Sequence, residues 1–139
     1  MRKSQDVIGL PVLAVNSGKQ LGVVRDLLFD NRQRLYGVLV EIKGWVKRGR
    51  YIPAERIVSF GHDAVTVDSE DVTKSLDNSC EMVGVCSGKH KLKGLPVVTA
   101  TGRELGRLEN VYFTEELGTL IGYELTDGFL SDLREARKT

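Results

Sequence analysis

Short apolar runs separated by polar turn sequences fill most of the chain. Six of these runs are rich in β-branched and aliphatic residues, and the segments between them carry Asn, Gly, Asp and Ser, which favour turns. The pattern predicts strands at residues 10–15, 20–30, 35–42, 51–53, 54–60 and 64–67. The first three form an antiparallel meander with short hairpins. Six short strands predict a small barrel, because closure removes the unpaired edges.

The longest run, residues 20–30, is apolar on both of its predicted faces. We expect one face to carry Leu21, Val23, Leu27 and Phe29, and the other face to carry Val24 and Leu28. Gly22 marks a bend or bulge near the start of this strand.

The first half of the chain is repeated in the second half. Gly-Leu-Pro-Val at residues 9–12 returns at residues 94–97, and each copy continues through a turn glycine to Leu-Gly. Matching strands follow each copy, and such a repeat indicates two related structural units. The glycines expected to shape the turns and bends of both units are Gly18, Gly22, Gly37, Gly102, Gly106 and Gly122.

The two copies differ at their ends. The second copy repeats the meander over residues 95–126, but residues 129–139 have a helical pattern, and no counterparts of the last strands of the first unit are evident. We therefore expect a complete unit at residues 1–68, a linker at 69–90, and an incomplete unit at 91–139, as in a chain truncated after Thr139. Within the linker, residues 69–76 have the pattern of one or two helical turns capped by Ser69, and residues 80–85 that of a segment docked on a barrel.

These motifs resemble the PRC-barrel family. The resembling features are Gly-x-Pro-Val, the turn glycine, Leu-Gly, a hydrophobic strand ending Asp-Leu-Leu-Phe-Asp, a second strand after it that is led by Gly, and Tyr-Ile-Pro before a final Val-x-Val strand. The resemblance covers residues 4–68 in full and 91–128 in part. The family includes the photosynthetic reaction centre H subunit and the C-terminal domain of the ribosome maturation factor RimM. The resemblance implies an all-β, tandem PRC-type barrel that binds or assembles proteins and has no catalytic activity.

Composition excludes several classes of function. The 139 residues are 41% hydrophobic and 28% charged, with a net charge of +1, so the whole chain has no general attraction to nucleic acid or membrane. No apolar run approaches the roughly 18 residues needed to span a bilayer, and we predict no membrane insertion. With two cysteines and no signal-like apolar core, the chain is expected to be cytoplasmic.

Charge is distributed unevenly between the two units. Residues 1–50 contain ten Lys or Arg against four Asp or Glu, whereas residues 101–139 contain five against eight. Such asymmetry can serve a binding partner, or it can draw the two units together.

Candidate catalytic and metal-binding residues are few. His62 lies in a predicted turn, and no pair of acids stands out for acid–base chemistry, so we predict no catalytic residue and no cofactor. Cys80, Cys86 and His90 form one soft-ligand cluster, but their spacing is not that of a zinc finger. We therefore predict no metal, and a metal or small-molecule sensor is the weakest alternative.

The strongest candidate surface is the basic loop after the third strand. It combines positive charge with aromatic rings. Together with the neighbouring hairpin before the third strand, it gives a predicted interaction surface of Arg32, Arg34, Trp45, Lys47, Arg48, Arg50 and Tyr51. Tryptophan, tyrosine and arginine are the residue types that dominate protein–protein contacts. They also bind phosphates and stack on bases, so an RNA- or ribosome-associated factor is the alternative. A solvated loop whose Trp45 packs on its own barrel is equally consistent with the sequence.

The favoured interpretation is a non-enzymatic protein-binding or assembly module. The unclosed second unit would leave an exposed sheet edge, and such an edge can pair with a second copy of the chain. A homodimer is therefore expected alongside an unidentified protein partner.

Overall fold

A computed structural model describes residues 1–42, 50–76, 82–88, 90–116, 118–126, 130–132 and 136–138. Within these residues the regular structure is mostly β-strand, organised as two curled sheets. The all-β tandem architecture predicted from the sequence is confirmed.

The first sheet contains the six predicted strands of the first unit and two further short strands. The strands are β2 (Pro11–Ala14), β3 (Gln20–Asp30), β4 (Leu35–Glu41), β5 (Arg50–Pro53), β6 (Ile57–Phe60), β7 (Val65–Val67), β8 (Lys74–Ser75) and β9 (Met82–Gly84). Their order is β6-β7-β2-β3-β4-β5-β8, with β9 paired to β3. All pairs are antiparallel except β2 with β7. A 3₁₀ turn at Ala54–Arg56 joins β5 to β6.

The second sheet is built around the second copy of the meander. Its strands are β10 (Pro96–Thr99), β11 (Glu104–Phe113), β12 (Leu120–Leu125), β13 (Leu130–Asp132) and β14 (Ala136–Lys138), with β1 (Arg2–Lys3) from the start of the chain. Their order is β13-β12-β11-β10-β14, and β1 pairs with β11. A one-turn helix α1 (Ser4–Val7) follows β1.

The helix predicted within residues 129–139 was wrong, and the helical turns predicted at residues 69–76 were right only in part. Within residues 129–139, the described residues form β13 and β14 instead of a helix, because the free edges of β12 and β10 offer backbone partners to both segments. In the linker, the helical turns reduce to one 3₁₀ turn at Glu70–Val72, which is followed at once by strand β8. The Ser69 hydroxyl donates to the Asp71 carboxylate and makes no helix-capping bond to the backbone.

The two units complete each other's sheets. The first half of β3 pairs with β2, but its second half pairs with β9, which precedes the second unit. In the same way the first half of β11 pairs with β10, and its end pairs with β1, which precedes the first unit. The end of each long strand therefore pairs with the segment that leads into the other unit. Reciprocity of this kind is the pattern of a two-fold interface.

A buried polar residue on each long strand forms hydrogen bonds with the segment that pairs with the end of that strand. Asp26 in β3 is fully buried, and its carboxylate accepts hydrogen bonds from the backbone N–H groups of Leu27, Val85, Cys86 and Ser87 and from the Ser87 hydroxyl, at 2.6–3.2 Å. Asn110 holds the equivalent place in β11, where its side-chain oxygen accepts from the Ser4 hydroxyl and the Gln5 N–H, at 2.9 and 3.1 Å. We call these two contacts the reciprocal clasp.

Matching β-bulges aim these two polar side chains. The pairing of β3 with β4 shifts between Val24 and Asp26, and that of β11 with β12 shifts between Leu108 and Asn110. The extra residue reverses the alternation of faces. Val24 therefore joins Leu27 and Phe29 in the main core, which corrects the predicted face assignment, whereas Leu28 packs in a small separate cluster.

The two units also meet at the tips of equivalent hairpins. The Leu120 N–H donates to the Gln33 carbonyl at 2.8 Å, and the Leu35 N–H donates to the Gly118 carbonyl in the reciprocal bond. Gln33 and Gly118 have nearly equal positive φ angles, 63° and 62°. Beneath the tips the rings of Phe29 and Phe113 pack edge to face with centroids 6.2 Å apart. The hydrophobic core is continuous across both units.

Only part of the predicted turn glycines lie in turns. Gly18 and Gly102 occupy hairpin turns with φ angles of 72° and 87°. Gly22, Gly37, Gly106 and Gly122 instead lie inside β3, β4, β11 and β12, and the pairing of β2 with β3 shifts beside Gly22, which confirms the bulge predicted there. At Gly37 the reason is close approach of backbones, because a Cβ atom there would lie 2.5 Å from the Ile52 carbonyl oxygen.

We predict that Asp26→Asn destabilises the protein by about 2–4 kcal/mol, because the amide NH2 group would face backbone N–H donors and leave buried groups unpaired. Urea unfolding followed by circular dichroism measures the change. Asp30→Asn, on the same strand but bonded to exposed N–H groups, is the matched control and should cost less than about 1 kcal/mol. Equal effects of the two substitutions would contradict the role of the clasp.

On the second unit the clasp continues into a charged cluster. Glu124 accepts a hydrogen bond from the Asn110 amide at 2.9 Å and forms a salt bridge with Lys3 at 3.5 Å. The Asn110 hydrogen bond, together with the Lys3 charge and the Tyr112 hydroxyl, lowers the pKa of Glu124 below its ordinary value.

We predict that Glu124 contributes stability that disappears in acid. Because its folded pKa is below the unfolded value of about 4.3, the contribution is full above that pH and is lost as pH falls through the lower folded pKa. Glu124→Gln should therefore lower the free energy of unfolding by about 1 kcal/mol at pH 7, and by progressively less below about pH 4. Unfolding titrations at several pH values test this, with the exposed Glu104→Gln as control. The prediction would be refuted if the difference in unfolding free energy between wild type and Glu124→Gln grew as the pH fell.

Candidate functional site

The predicted basic surface does not form one continuous patch among the described residues. Trp45, Lys47 and Arg48 lie outside the described residues. Arg32 and Arg34 are exposed at the hairpin between β3 and β4, whereas Arg50 lies beside Val40 at the other end of β4. At about 3.3 Å per residue, the length of β4 separates these two groups by roughly 20 Å.

Arg50 and Tyr51 make contacts within the first sheet, which includes strand β8 of the linker. The Arg50 guanidinium donates to the Thr73 carbonyl and hydroxyl and to the Ser75 hydroxyl, at 2.8–3.2 Å, and so holds β8 against β5. Tyr51 is only 8% exposed and stacks on the Tyr36 ring with centroids 5.3 Å apart. Both residues therefore contribute to packing of the linker on the first sheet. The interaction surface as a whole stays a prediction.

The soft-ligand residues that are described lie near the first clasp. Cys86 is exposed and its N–H binds Asp26; His90 is exposed four residues later, and Cys80 lies outside the described residues. Partial burial of the sulfur, followed by the charge of Asp26, raises the pKa of the Cys86 thiol. Among the described residues no group of three or more His, Cys, Asp or Glu side chains is arranged to hold a metal ion.

A groove of about 470 Å³ lies between the two units. One wall is β6, the last strand in the order of the first sheet, and the other is the hairpin between β11 and β12. The residues lining it are Leu35, Ala54, Glu55, Ile57, Val58, Ser59, Phe60, Glu115, Glu116 and Gly118. Its volume is in the range of ligand-binding pockets. A second hollow of about 330 Å³ shares Glu115 and Glu116.

The groove has an apolar floor and an acidic rim. Leu35 and Phe60 are buried beneath it, whereas Val58 projects with 54% of its surface exposed. Glu55, Glu115 and Glu116 are exposed around it, and neither lysine nor arginine is among its described lining residues. Glu115 lies 3.4 Å from the ammonium group of Met1. Glu55 and Glu116 form no salt bridge with any described residue.

Sequence reasoning missed this groove. The sequence contains two signals of an acidic, partly apolar surface. The second unit is acidic, and residues 55–60 mix charged, polar and apolar side chains. The sequence could not show that Glu115, Glu116 and Gly118 lie against β6, because that contact depends on how the two units dock. The basic loop is the more conspicuous feature of the sequence, because its composition is unusual in isolation.

Two further groups away from the groove have shifted pKa values. Tyr123 is buried in the core, and burial raises the pKa of its hydroxyl. On the surface, a hydrogen bond from Ser69 lowers the pKa of Asp71.

In the parts of the chain that are described, no helix is both long enough and apolar enough to cross a membrane.

Fold and sequence together define a tandem β-barrel protein whose two units share one core. A family model of the PRC-barrel domain matches residues 1–72 and again residues 87–138. The chain therefore belongs to the PRC-barrel family, as the sequence motifs predicted. It is similar to the uncharacterized protein YrrD of Bacillus subtilis (strain 168), at 25% identity over 140 residues. That match covers 99% of this chain and 77% of YrrD.

We predict that the Cys86 thiol is slow to react at neutral pH, because its raised pKa leaves little thiolate. The pH dependence of alkylation by iodoacetamide, measured on a Cys80→Ser variant, should give a higher midpoint in the folded protein than in urea. An equal or lower folded midpoint would contradict the prediction. It would also strengthen the alternative of a metal sensor, since metal binding requires the thiolate.

Proposed function

We propose that this protein is a non-enzymatic protein-binding module and that its contact surface is the groove beside β6. The observation that carries the proposal is the exposed side chain of Val58 on the edge strand β6, beside the apolar floor of the groove. An apolar surface rimmed by polar groups is typical of an interaction site. An edge strand adds unpaired backbone groups that a partner can use.

The location of the groove supports the same proposal. Its two walls come from different units, and the reciprocal hairpin bonds of Leu35 and Leu120 hold those walls together. A partner would therefore meet a surface that is formed before binding, which lowers the entropic cost of association. Cytoplasmic location and homodimer formation, both expected from the sequence, stay predictions.

We predict that Val58→Arg abolishes capture of a protein partner from a lysate of the source organism, because a bulky charge would replace the exposed apolar contact. Val15→Arg is the matched control, since Val15 is 62% exposed and does not line the groove. Recovery of the captured protein should fall at least tenfold for Val58→Arg and should be unchanged for Val15→Arg. The capture is repeated after nuclease treatment.

Three results would refute this proposal. The first is that the wild-type protein captures nothing. The second is that both valine variants lose the partner equally, which would indicate a nonspecific effect. The third is capture that disappears after nuclease treatment, which would favour the alternative of an RNA- or ribosome-associated factor.

A further inference from the structure

The backbone of β6 offers hydrogen-bonding groups to the groove. The Gly61 N–H donates to the Ala64 carbonyl at 2.8 Å, so this pair closes the hairpin between β6 and β7. Hydrogen-bonded and non-hydrogen-bonded pairs alternate along an antiparallel ladder. The next pair is Phe60 with Val65, and the N–H and C=O of Phe60 therefore point away from β7.

A contact made by Arg2 supports this orientation. The Phe60 carbonyl accepts a hydrogen bond of 2.7 Å from the Arg2 guanidinium, which also binds the Gly61 carbonyl at 3.0 Å. The outer edge of β6 is thus already used by a basic side chain at one end. At the start of the strand the Ile57 N–H donates to the Ala54 carbonyl, so the backbone groups open to an added strand lie between these two bonds.

The groove follows the edge of the strand and not one of its faces. All four consecutive residues of β6 line the groove, whereas a groove over one face would be lined by every second residue. Val58 also lies at a register shift in the pairing of β6 with β7. A bulge at this point turns its side chain into the open space.

The negative charge around the groove favours a positively charged ligand. Glu55 and Glu116 are exposed on opposite walls, and Glu115 lies beside Glu116. An extended chain between these walls projects alternate side chains toward the apolar floor and toward the rim. Apolar residues would suit the floor, and lysine or arginine would suit the acidic rim.

We propose that the groove binds an extended segment of a partner protein in which lysine or arginine alternates with apolar residues, and that this segment adds to β6 as a further strand. The inference rests on the proposed function, because it names the chemistry of the partner at the same groove. Backbone hydrogen bonds to β6 would supply affinity, and the glutamates would supply preference for a basic segment.

The test uses the full chain and three fluorescein-labelled nonapeptides in anisotropy titrations at low salt. The first peptide alternates valine with lysine, and the second alternates valine with glutamate. The third is the valine–lysine peptide with alternate backbone nitrogens methylated, which blocks pairing with a strand. We expect the first peptide alone to bind.

Two double variants test the role of charge. Glu55→Gln with Glu116→Gln should weaken binding of the valine–lysine peptide about fivefold to tenfold, as expected for the loss of two exposed ion pairs. Glu41→Gln with Glu104→Gln removes the same charge from exposed positions outside the groove, and it should change binding less than twofold. Unfolding in urea checks that both double variants are folded.

The outcomes separate this inference from the proposed function. Binding of the methylated or the glutamate peptide, equal effects of the two double variants, or no peptide binding would overturn the inference. The groove would still be a protein-binding site if Val58→Arg alone lost the captured partner. If sedimentation instead shows a dimer that Val58→Arg dissociates, the groove binds a second copy, and the inference of a basic partner is wrong.

Discussion

The buried carboxylate of Asp26 imposes the strongest constraint on how the two units fit together. A charge removed from water is costly unless hydrogen bonds replace its hydration. Here the replacements come mainly from residues 85–87, which lie in the segment that leads into the other unit. Any arrangement that withdrew this segment would remove four of the five groups that donate to the carboxylate. The clasp therefore favours one docking of the two units over the alternatives.

The two halves of the reciprocal clasp use different chemistry at equivalent positions. Asp26 can only accept hydrogen bonds when ionised, and it is surrounded by donors. Asn110 both accepts and donates, and its amide contacts the side-chain oxygens of Gln5 and Glu124. Gly84 shows how closely the first site is fitted, because a Cβ atom there would lie 2.5 Å from the Asp26 carboxylate. The repeat thus preserves geometry while each copy satisfies its polar residue differently.

The sequence predicted the elements better than it predicted their assembly. The repeated Gly-Leu-Pro-Val motif and the turn residues located β2, β3 and β4 and their counterparts, because hairpin formation depends on local chemistry. The bulge beside Asp26 has no clear sequence signal, and it moved Val24 to the opposite face. The exchange of β1 and β9 could not be predicted either, since pairing between distant segments is decided by how the sheets dock. The groove depends on that same docking, which is why the candidate site was missed.

This dependence links binding to stability. The groove walls belong to different units, so the groove exists only while the hairpin tips at Gln33 and Gly118 are paired and the clasp is closed. A partner that contacts both walls would bind the docked state and have no comparable site on separated units. Ligands that bind one state stabilise it by mass action. The buried polar contacts of the clasp would thus also determine whether the groove is available, although neither Asp26 nor Asn110 lines it.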